Sequence, residues 1–311
     1  MIKILLTSSS FIDTPGKHHD FINKQDFEID YLKGPLKESQ LLNIISQYDG
    51  VICGDDEYNS KVLEKGKSGK LKYISKYGVG LDMIDIKKAK ELGINISNCK
   101  SINQHSVSEH VIALLLTFYR NIIEISNNIK KGKWLRLTGT EIRGKTIGII
   151  GVGAVGKEVL LKTKSLGLNT IAYDINPDKE FIDSNDIHLC SSINNLISKS
   201  DIISLHLPLN EKTKGIINKD SVINFMKKEV VIVNTSRAKL IDEEALKFGL
   251  DSKIIKGYLT DVMDEEPMIN NHFLISYSNV IITSHIGSRT FESVEKQGIM
   301  AIKNLQKMIL N

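Results

Sequence analysis

The chain alternates short apolar runs with stretches of helical periodicity along its whole length. Apolar runs bounded by polar or glycine residues are typical of buried strands, and their alternation with amphipathic stretches indicates parallel sheets covered by helices. In the first third, five strands are predicted, at residues 3–8, 27–32, 50–54, 71–75 and 94–98. A second series begins at residue 146 and continues at 170–173, 187–190, 201–206, 230–233, 254–259 and 280–283. The pattern therefore predicts an α/β protein with two parallel sheets.

Two helical stretches stand out from this alternation. Residues 107–129 form one long pattern that is apolar around much of its circumference, so we expect one helix buried between domains or subunits. Residues 288–311 are predicted to form a single final helix. The apolar stretch near residues 111–119 is too short to cross a bilayer, so no membrane partner is expected.

A glycine-rich turn at the start of the second series indicates a ligand class. An apolar run leads into Gly151, Gly153 and Gly156, a helix is predicted over residues 154–166, and Asp174 ends the next apolar run. In this order of strand, turn, helix, strand and acid, the glycines allow a tight turn, approach of a pyrophosphate and close packing. We expect the turn to bind a dinucleotide, with Ala154 and Val155 at the helix N-terminus; the alternative is a purely structural turn.

Asp174 also bears on the choice of dinucleotide. Its carboxylate can accept hydrogen bonds from ribose hydroxyls and would repel a 2′-phosphate. Ile175 and Asn176 supply no arginine to bind such a phosphate. The sequence therefore predicts NAD over NADP.

Polar side chains follow three later strands of this series, at the edge where a dinucleotide lies. Arg237, Glu266 and His285 supply a guanidinium, a carboxylate and an imidazole. Histidine suits proton transfer to a carbonyl near neutral pH, a neighbouring carboxylate stabilises the imidazolium, and arginine can hold a substrate carboxylate. Each residue alone could be structural or a surface charge, but together they indicate hydride-transfer chemistry.

Composition narrows the class further. The chain has 311 residues, 41% apolar and 25% charged, which suits about two soluble globular domains. The net charge of +4 comes from lysines scattered among acids, so no nucleic-acid partner is expected. The three cysteines lie far apart without metal-binding spacing, which favours a reducing cytoplasm and predicts no metal site.

These motifs, taken in order, resemble those of the D-isomer-specific 2-hydroxyacid dehydrogenases. The similar segments cover nearly the whole chain and are found at residues 76–85, 106–116, 151–156, 205–209, 234–237, 261–267 and 284–287. The nearest branch is phosphoglycerate dehydrogenase-like. Such enzymes often carry a C-terminal regulatory domain, and feedback through one is not expected here.

The resemblance implies roles for the residues above. His285 would be the acid/base, Glu266 its partner and Arg237 the residue that orients the substrate. The turn at 78–80 would hold the substrate carboxylate through the Val79 and Gly80 amides, although it could also be a simple strand-to-helix connection. Further residues are expected along the cofactor: Leu207, Pro208, Thr235, Ser236, Asp261, near the nicotinamide, and Gly287.

The resemblance also implies the architecture. A doubly wound NAD domain of the Rossmann type, residues 101–287, would be inserted into a flavodoxin-like substrate domain formed by residues 1–100 and 288–311. The active site would lie in the cleft between them. A homodimer would form through the long helix and the arm before Trp134.

The sequence leaves the substrate open. Lys17 or His18 could bind a second anionic group, as in a phosphoglycerate- or phosphonate-type substrate, or could lie in an ordinary solvated loop. Lys239 could likewise contact an anionic substrate or be a solvated charge in a loop. Two other functions remain as alternatives: formate dehydrogenases, which have a glutamine in place of Glu266, and NAD-sensing corepressor-like binding proteins, which keep the same three residues.

Overall fold

Parallel strands in two separate sheets form the framework of the computed structural model, which describes residues 1–310. The strands are β1 Ile2–Leu6, β2 Phe27–Tyr31, β3 Gly50–Cys53, β4 Tyr73–Lys76, β5 Asn95–Asn98, β6 Thr146–Ile150, β7 Asn169–Tyr173, β8 His188–Leu189, β9 Ile202–Leu205, β10 Val230–Asn234, β11 Ile255–Thr260 and β12 Val280–Ile282. The predicted α/β class with two parallel sheets is confirmed.

Helices connect the strands in both sheets. They are α1 Ser9–Asp13, α2 Lys17–Asn23, α3 Glu38–Ile44, α4 Ser60–Ser68, α5 Ile86–Glu91, α6 Gln104–Tyr119, α7 Ile122–Lys130, α8 Ala154–Ser165, α9 Lys179–Ser184, α10 Ile193–Lys199, α11 Glu243–Asp251 and α12 Phe291–Leu310.

The first compact unit consists of Met1–Asn103 and the segment that begins at Ser288. Its five strands lie in the order β2-β1-β3-β4-β5. Alternate residues of β1 point to opposite faces, so Leu5 packs in one apolar cluster, whereas Ile4 and Leu6 pack in another with α12. Burial on both faces explains why the central strand β3 is a continuous apolar run.

The second unit, Gln104–Gly287, has seven strands in the order β12-β11-β10-β9-β6-β7-β8. The strand order reverses beside β6, where β7 and β9 lie on opposite sides. In an open α/β sheet, a reversal of this kind leaves room for a ligand at the carboxyl ends of the strands. The turn after β6 is the glycine-rich turn.

The prediction of a single helix over residues 107–129 is wrong. α6 ends at Tyr119, and Asn121 has a left-handed φ of +53° before α7 begins. The carbonyl oxygen of Tyr119 accepts a hydrogen bond from the Thr140 amide at 2.8 Å instead of continuing the hydrogen-bond ladder of the helix. The returning chain around residue 140 therefore ends α6, and the apolar pattern alone gave no sign of it.

Candidate functional site

The three glycines of the turn have different structural roles. Gly151 has a φ of +95°, and a Cβ there would lie 2.5 Å from the His206 carbonyl oxygen. A Cβ on Gly156 would lie 2.0 Å from the Gly151 carbonyl oxygen. At Gly153, by contrast, a Cβ would meet no heavy atom within 4 Å. The fold itself requires the first and third glycines, whereas the second borders open space of the kind that a bound group would fill.

The start of α8 lies directly beside that open space. Gly153 is its N-cap and makes no side-chain capping hydrogen bond. Ala154 is exposed and Val155 is half-buried at the first turn. Helix N-termini present unpaired N–H groups and a partial positive charge, so the position suits a pyrophosphate.

Asp174 follows β7 and holds the turn in place. Its Oδ2 accepts a hydrogen bond from the Val152 amide at 2.7 Å, and its Oδ1 accepts one from the Asn176 amide at 2.8 Å. The next residue, Ile175, is 88% exposed. Each carboxylate oxygen can accept a further hydrogen bond, so the geometry is compatible with a ribose diol as well as with anchoring of the turn.

A buried hydroxyl lies in the segment after β10. Among the described residues, no hydrogen-bond partner is found for Thr235 Oγ1. Its neighbour Ser236 donates from Oγ to the Leu205 carbonyl oxygen at 2.7 Å. A buried polar atom without a partner is costly, and a bound cofactor could supply that partner. Together with the open space at Gly153, Thr235 is consistent with a dinucleotide in this unit.

The other predicted cofactor residues lie at strand ends of the same sheet. Leu207 is half-buried and Pro208 is exposed, both just after β9. The Leu207 side chain would touch a Cβ at Gly151, and the Pro208 carbonyl oxygen accepts from Thr213 Oγ1 at 2.7 Å. The loop after β9 therefore lies against the glycine turn.

Arg237 is held by the turn that follows β10. The Asn234 side chain donates to the Arg237 carbonyl oxygen at 2.9 Å and accepts from the Ser236 amide at 3.1 Å. Arg237 Nη1 donates to the Ser236 carbonyl oxygen at 2.7 Å, and the side chain is half-buried. The buried Asn234 thus fixes the backbone from which the guanidinium projects, whereas Lys239, two residues later, is exposed.

His285 and Glu266 form a close pair although they are 19 residues apart. Glu266 Oε2 lies 2.7 Å from His285 Nδ1, and Oε1 accepts from the Met263 amide at 3.0 Å. Both side chains are 33% exposed. When Nδ1 donates to the carboxylate, Nε2 is the ring nitrogen that can exchange a proton with another molecule. His285 also has a φ of +55°, unusual for a residue with a Cβ.

Asp261 anchors the backbone that carries His285. It is 2% exposed, and it accepts hydrogen bonds from the amides of Ile286 at 2.9 Å and Gly287 at 2.7 Å. Thr283 Oγ1 donates to the same carboxylate at 2.5 Å. His110 Nε2 lies 2.9 Å from that hydroxyl and 3.4 Å from Asp261 Oδ1.

The pKa of Asp261 reflects the same contacts. Burial opposes its ionisation, but the hydrogen bonds from His110, Thr283 and the two amides outweigh burial and lower its pKa. Among these partners, His110 is not one of the residues that the sequence motifs single out. Its link to Thr283 across 173 positions could not be read from any local motif.

The turn after β4 lies in the first unit. Gly78 has a φ of +119°, and its carbonyl oxygen accepts from the Cys99 amide at 2.8 Å. The Val79 carbonyl oxygen accepts from Asn98 Nδ2 at 2.6 Å, while the Val79 side chain is 44% exposed. These contacts point the two carbonyls toward the end of β5 and fix the turn that includes Gly80.

The segment around Lys17 has a different environment from the one its sequence suggested. The Lys17 amide, at the start of α2, donates to the Glu295 carboxylate at 3.0 Å. His18 is fully buried, and its Nε2 lies 3.0 Å from the Phe11 carbonyl oxygen. A carboxylate of the chain itself therefore binds the backbone amide of Lys17, and this contact does not involve the Lys17 side chain.

Within residues 1–310, no group of three or more metal-binding side chains is found. Within the same range, the longest helices are not apolar enough to span a membrane.

Comparisons with known proteins identify relatives over the whole chain. Residues 112–287 match the family model described as D-isomer specific 2-hydroxyacid dehydrogenase, NAD binding domain. A D-3-phosphoglycerate dehydrogenase of Methanocaldococcus jannaschii is 36% identical over 99% of the chain, but the chain spans only 58% of that protein. A hydroxypyruvate reductase of Thermotoga maritima is 37% identical, with 92% of each chain covered.

A solved structure agrees with these sequence matches. The apo-structure of D-lactate dehydrogenase from Escherichia coli has a TM-score of 0.85 and 27% sequence identity, and the match covers 100% of this chain and 97% of the other. The chain thus resembles three proteins whose names differ in their substrates.

Proposed function

The chain belongs to the D-isomer specific 2-hydroxyacid dehydrogenase family, and we propose that it is an NAD-dependent oxidoreductase that interconverts a D-2-hydroxy acid and a 2-oxo acid. NAD is the cofactor of the matched domain. The corepressor-like alternative is not favoured, because the named relatives are dehydrogenases and reductases.

The observation that carries the proposal is the His285–Glu266 pair at the edge that also carries the glycine turn. Bound NAD would accept a hydride from C2 of the hydroxy acid, and NADH would return it to the 2-oxo acid. His285 Nε2 takes the hydroxyl proton during oxidation and gives it back during reduction. Glu266 stabilises the imidazolium that His285 becomes when it holds this proton.

We assign the remaining roles in the same scheme. Arg237 holds the substrate carboxylate and polarises the adjacent carbonyl, and the Val79 and Gly80 amides contribute further hydrogen bonds. Gly151, Gly153, Gly156 and the start of α8 receive the pyrophosphate, and Asp174 receives the ribose and selects NAD over NADP. The remaining proposed cofactor contacts are Leu207, Pro208, Thr235, Ser236, Asp261 and Gly287.

Two contacts with Asp261 refine its role. Because the Ile286 and Gly287 amides already bind its carboxylate, Asp261 acts mainly by positioning the turn that bears His285. Lys17 is proposed as a substrate contact through its side chain alone, because Glu295 already binds its backbone amide.

We also propose a domain assignment and a homodimer. Residues 101–287 would be the NAD domain, with residues 1–100 and 288–311 as the substrate domain. For the dimer, α7 has no buried residue, and Ile122, Ile123 and Trp134 are 49%, 47% and 80% exposed. Such apolar exposure along one helix and the following arm suits an interface with a second copy. The three buried, unpaired cysteines support a reducing, cytoplasmic setting.

A direct activity assay tests the function. The purified chain is given NADH and a panel of short 2-oxo acids, including glyoxylate, pyruvate and hydroxypyruvate, and NADH oxidation is followed by absorbance. We expect turnover with at least one acid and formation of the D-hydroxy acid on chiral analysis. Absence of turnover on the whole panel would contradict the proposed activity.

A further inference from the structure

Two neighbouring strand ends in the first unit bring a charged pair next to the proposed carboxylate-binding turn. β3 and β4 are parallel, with Cys53 opposite Lys76. The Tyr77 amide donates to the Cys53 carbonyl oxygen at 2.8 Å, so the register continues beyond the strands. The Lys76 side chain, which binds Asp55, also runs past the turn, since its Cε would lie 3.8 Å from a Cβ on Gly78.

Lys76 and Asp55 differ strongly in their exposure. Lys76 Nζ donates to Asp55 Oδ1 at 2.6 Å and also to the Gly54 carbonyl oxygen. The Lys76 side chain is only 4% exposed, whereas that of Asp55 is 51% exposed. The cation is therefore covered, and the pair presents its negative end to solvent.

Two other cations of this unit share a single carboxylate. Arg289, just before α12, and Lys33, just after β2, both contact Asp13, at 3.0 Å and 2.7 Å. These hydrogen bonds lower the pKa of Asp13, with Lys33 the larger influence. Both cations are thus engaged by Asp13, whose single charge offsets one of the two positive charges.

We propose that Asp55 is a specificity-determining residue that selects short substrates with a single negative charge and a distal hydrogen-bond donor, such as a hydroxyl, and rejects a distal phosphate. The inference rests on the proposed function, because it takes the substrate carboxylate to lie on the Val79 and Gly80 amides. It deepens that function by naming the substrate class.

The size of the substrate makes the contact possible. A three-carbon acid held by its carboxylate at the turn after β4 extends about one strand spacing, which brings its distal group to the end of β3. There Asp55 can accept a hydrogen bond from a hydroxyl. A negative charge about 6 Å from a carboxylate, at a dielectric constant between about 20 and 40, loses roughly tenfold to a hundredfold in binding.

The experiment compares three 2-oxo acids with the complete chain and saturating NADH: hydroxypyruvate, pyruvate and phosphohydroxypyruvate. For the unaltered enzyme we expect kcat/KM for hydroxypyruvate to exceed that for phosphohydroxypyruvate by at least about tenfold. Pyruvate, which lacks the donor, should be the poorer of the two singly charged acids. The difference should lie mainly in KM, because Asp55 contacts a part of the substrate that does not react.

The variant Asp55→Asn keeps the shape of the side chain and removes its charge. It leaves the Lys76 charge without its carboxylate partner, so the ratio of hydroxypyruvate to phosphohydroxypyruvate activity should fall by about tenfold or more. The matched control is Asp26→Asn. Asp26 is exposed and comes directly before β2, at the opposite edge of the same sheet, so the same change of charge should leave the ratio unaltered.

Three results would overturn the inference. The first is a preference of the unaltered enzyme for phosphohydroxypyruvate, especially if Lys100→Ala abolishes it, since Lys100 is an exposed cation just after β5. The second is a ratio that Asp55→Asn and Asp26→Asn change equally. The third is loss of folding in Asp55→Asn, seen in thermal unfolding, together with an unchanged ratio in Asp55→Ser. No oxidation of NADH with any acid would contradict the proposed function itself, and the inference with it.

Discussion

Replacing Glu266 with glutamine tests the catalytic pair most directly. The substitution keeps the size of the side chain but removes the charge that lies 2.7 Å from His285 Nδ1. A hydrogen bond to a charged group contributes about 1.5–3 kcal/mol. Both side chains are one-third exposed, so solvent screening favours the lower part of that range. At about 1.4 kcal/mol per factor of ten, kcat/KM should fall about 10-fold to 30-fold.

The assay is steady-state reduction of the best 2-oxo acid by NADH as a function of pH. Reduction requires a protonated His285, and glutamine stabilises the imidazolium less than a carboxylate does. The pH above which the rate falls should therefore be lower in Glu266→Gln than in the unaltered enzyme. NADH binding, measured by fluorescence titration, should change little, because Glu266 acts through the imidazole.

Glu265→Gln is the matched control, since Glu265 is the adjacent carboxylate and is exposed. It should keep full activity and the unaltered pH profile. A Glu266→Gln enzyme within threefold of the unaltered rate, or an equal loss in Glu265→Gln, would refute the assignment of Glu266 as the partner of His285.

Four further predictions concern the cofactor, stability and assembly. Gly153→Ala should fold normally but bind NADH at least tenfold more weakly, whereas Gly156→Ala should lower the melting temperature because its Cβ would meet a carbonyl oxygen; equal melting temperatures would contradict this reasoning. Burial of His206 lowers its pKa from the ordinary 6.5 to about 3. As pH falls, the imidazole is therefore protonated in the unfolded chain before it is protonated in the folded chain. The contribution of His206 to stability is complete above pH 6.5 and is lost as pH falls toward 3. By pH 5 the loss is about 2 kcal/mol, which urea unfolding should detect and which His206→Gln should remove; an identical pH slope in that variant would refute it. Asp174 should give at least a tenfold preference for NADH over NADPH in kcat/KM, and a preference for NADPH would count against its role. Trp134→Ser should shift the mass measured by light scattering from dimer toward monomer, and a monomeric unaltered protein would rule out the proposed assembly.

The strands show how much local pattern can determine. Each predicted strand lies within two residues of an observed one; for example, residues 50–54 correspond to Gly50–Cys53 and residues 230–233 to Val230–Asn234. This agreement has a physical cause, because strands buried on both faces must be apolar throughout. The glycine turn could also be predicted from the sequence, since a Cβ on Gly151 or Gly156 would clash with a neighbouring carbonyl oxygen.

The long helix shows where local pattern fails. Its apolar residues continue past Tyr119, but the helix ends there because the chain returns at residue 140 and bonds to the Tyr119 carbonyl. The Lys17 segment is similar, since its backbone amide binds Glu295 from a helix 278 positions later. Contacts of this range have no local signature.

The α/β class, the position of the glycine-rich turn and the three candidate side chains could therefore be predicted from the sequence, because each depends on residue type and short spacing. Only the tertiary structure decided how those side chains are held. The pairing of Glu266 with His285, the anchoring of the His285 turn by Asp261, and the Lys76–Asp55 pair beside Gly78 all join separate strand ends. Parallel strands bring distant residues to one edge, and which of them meet there depends on strand order and register.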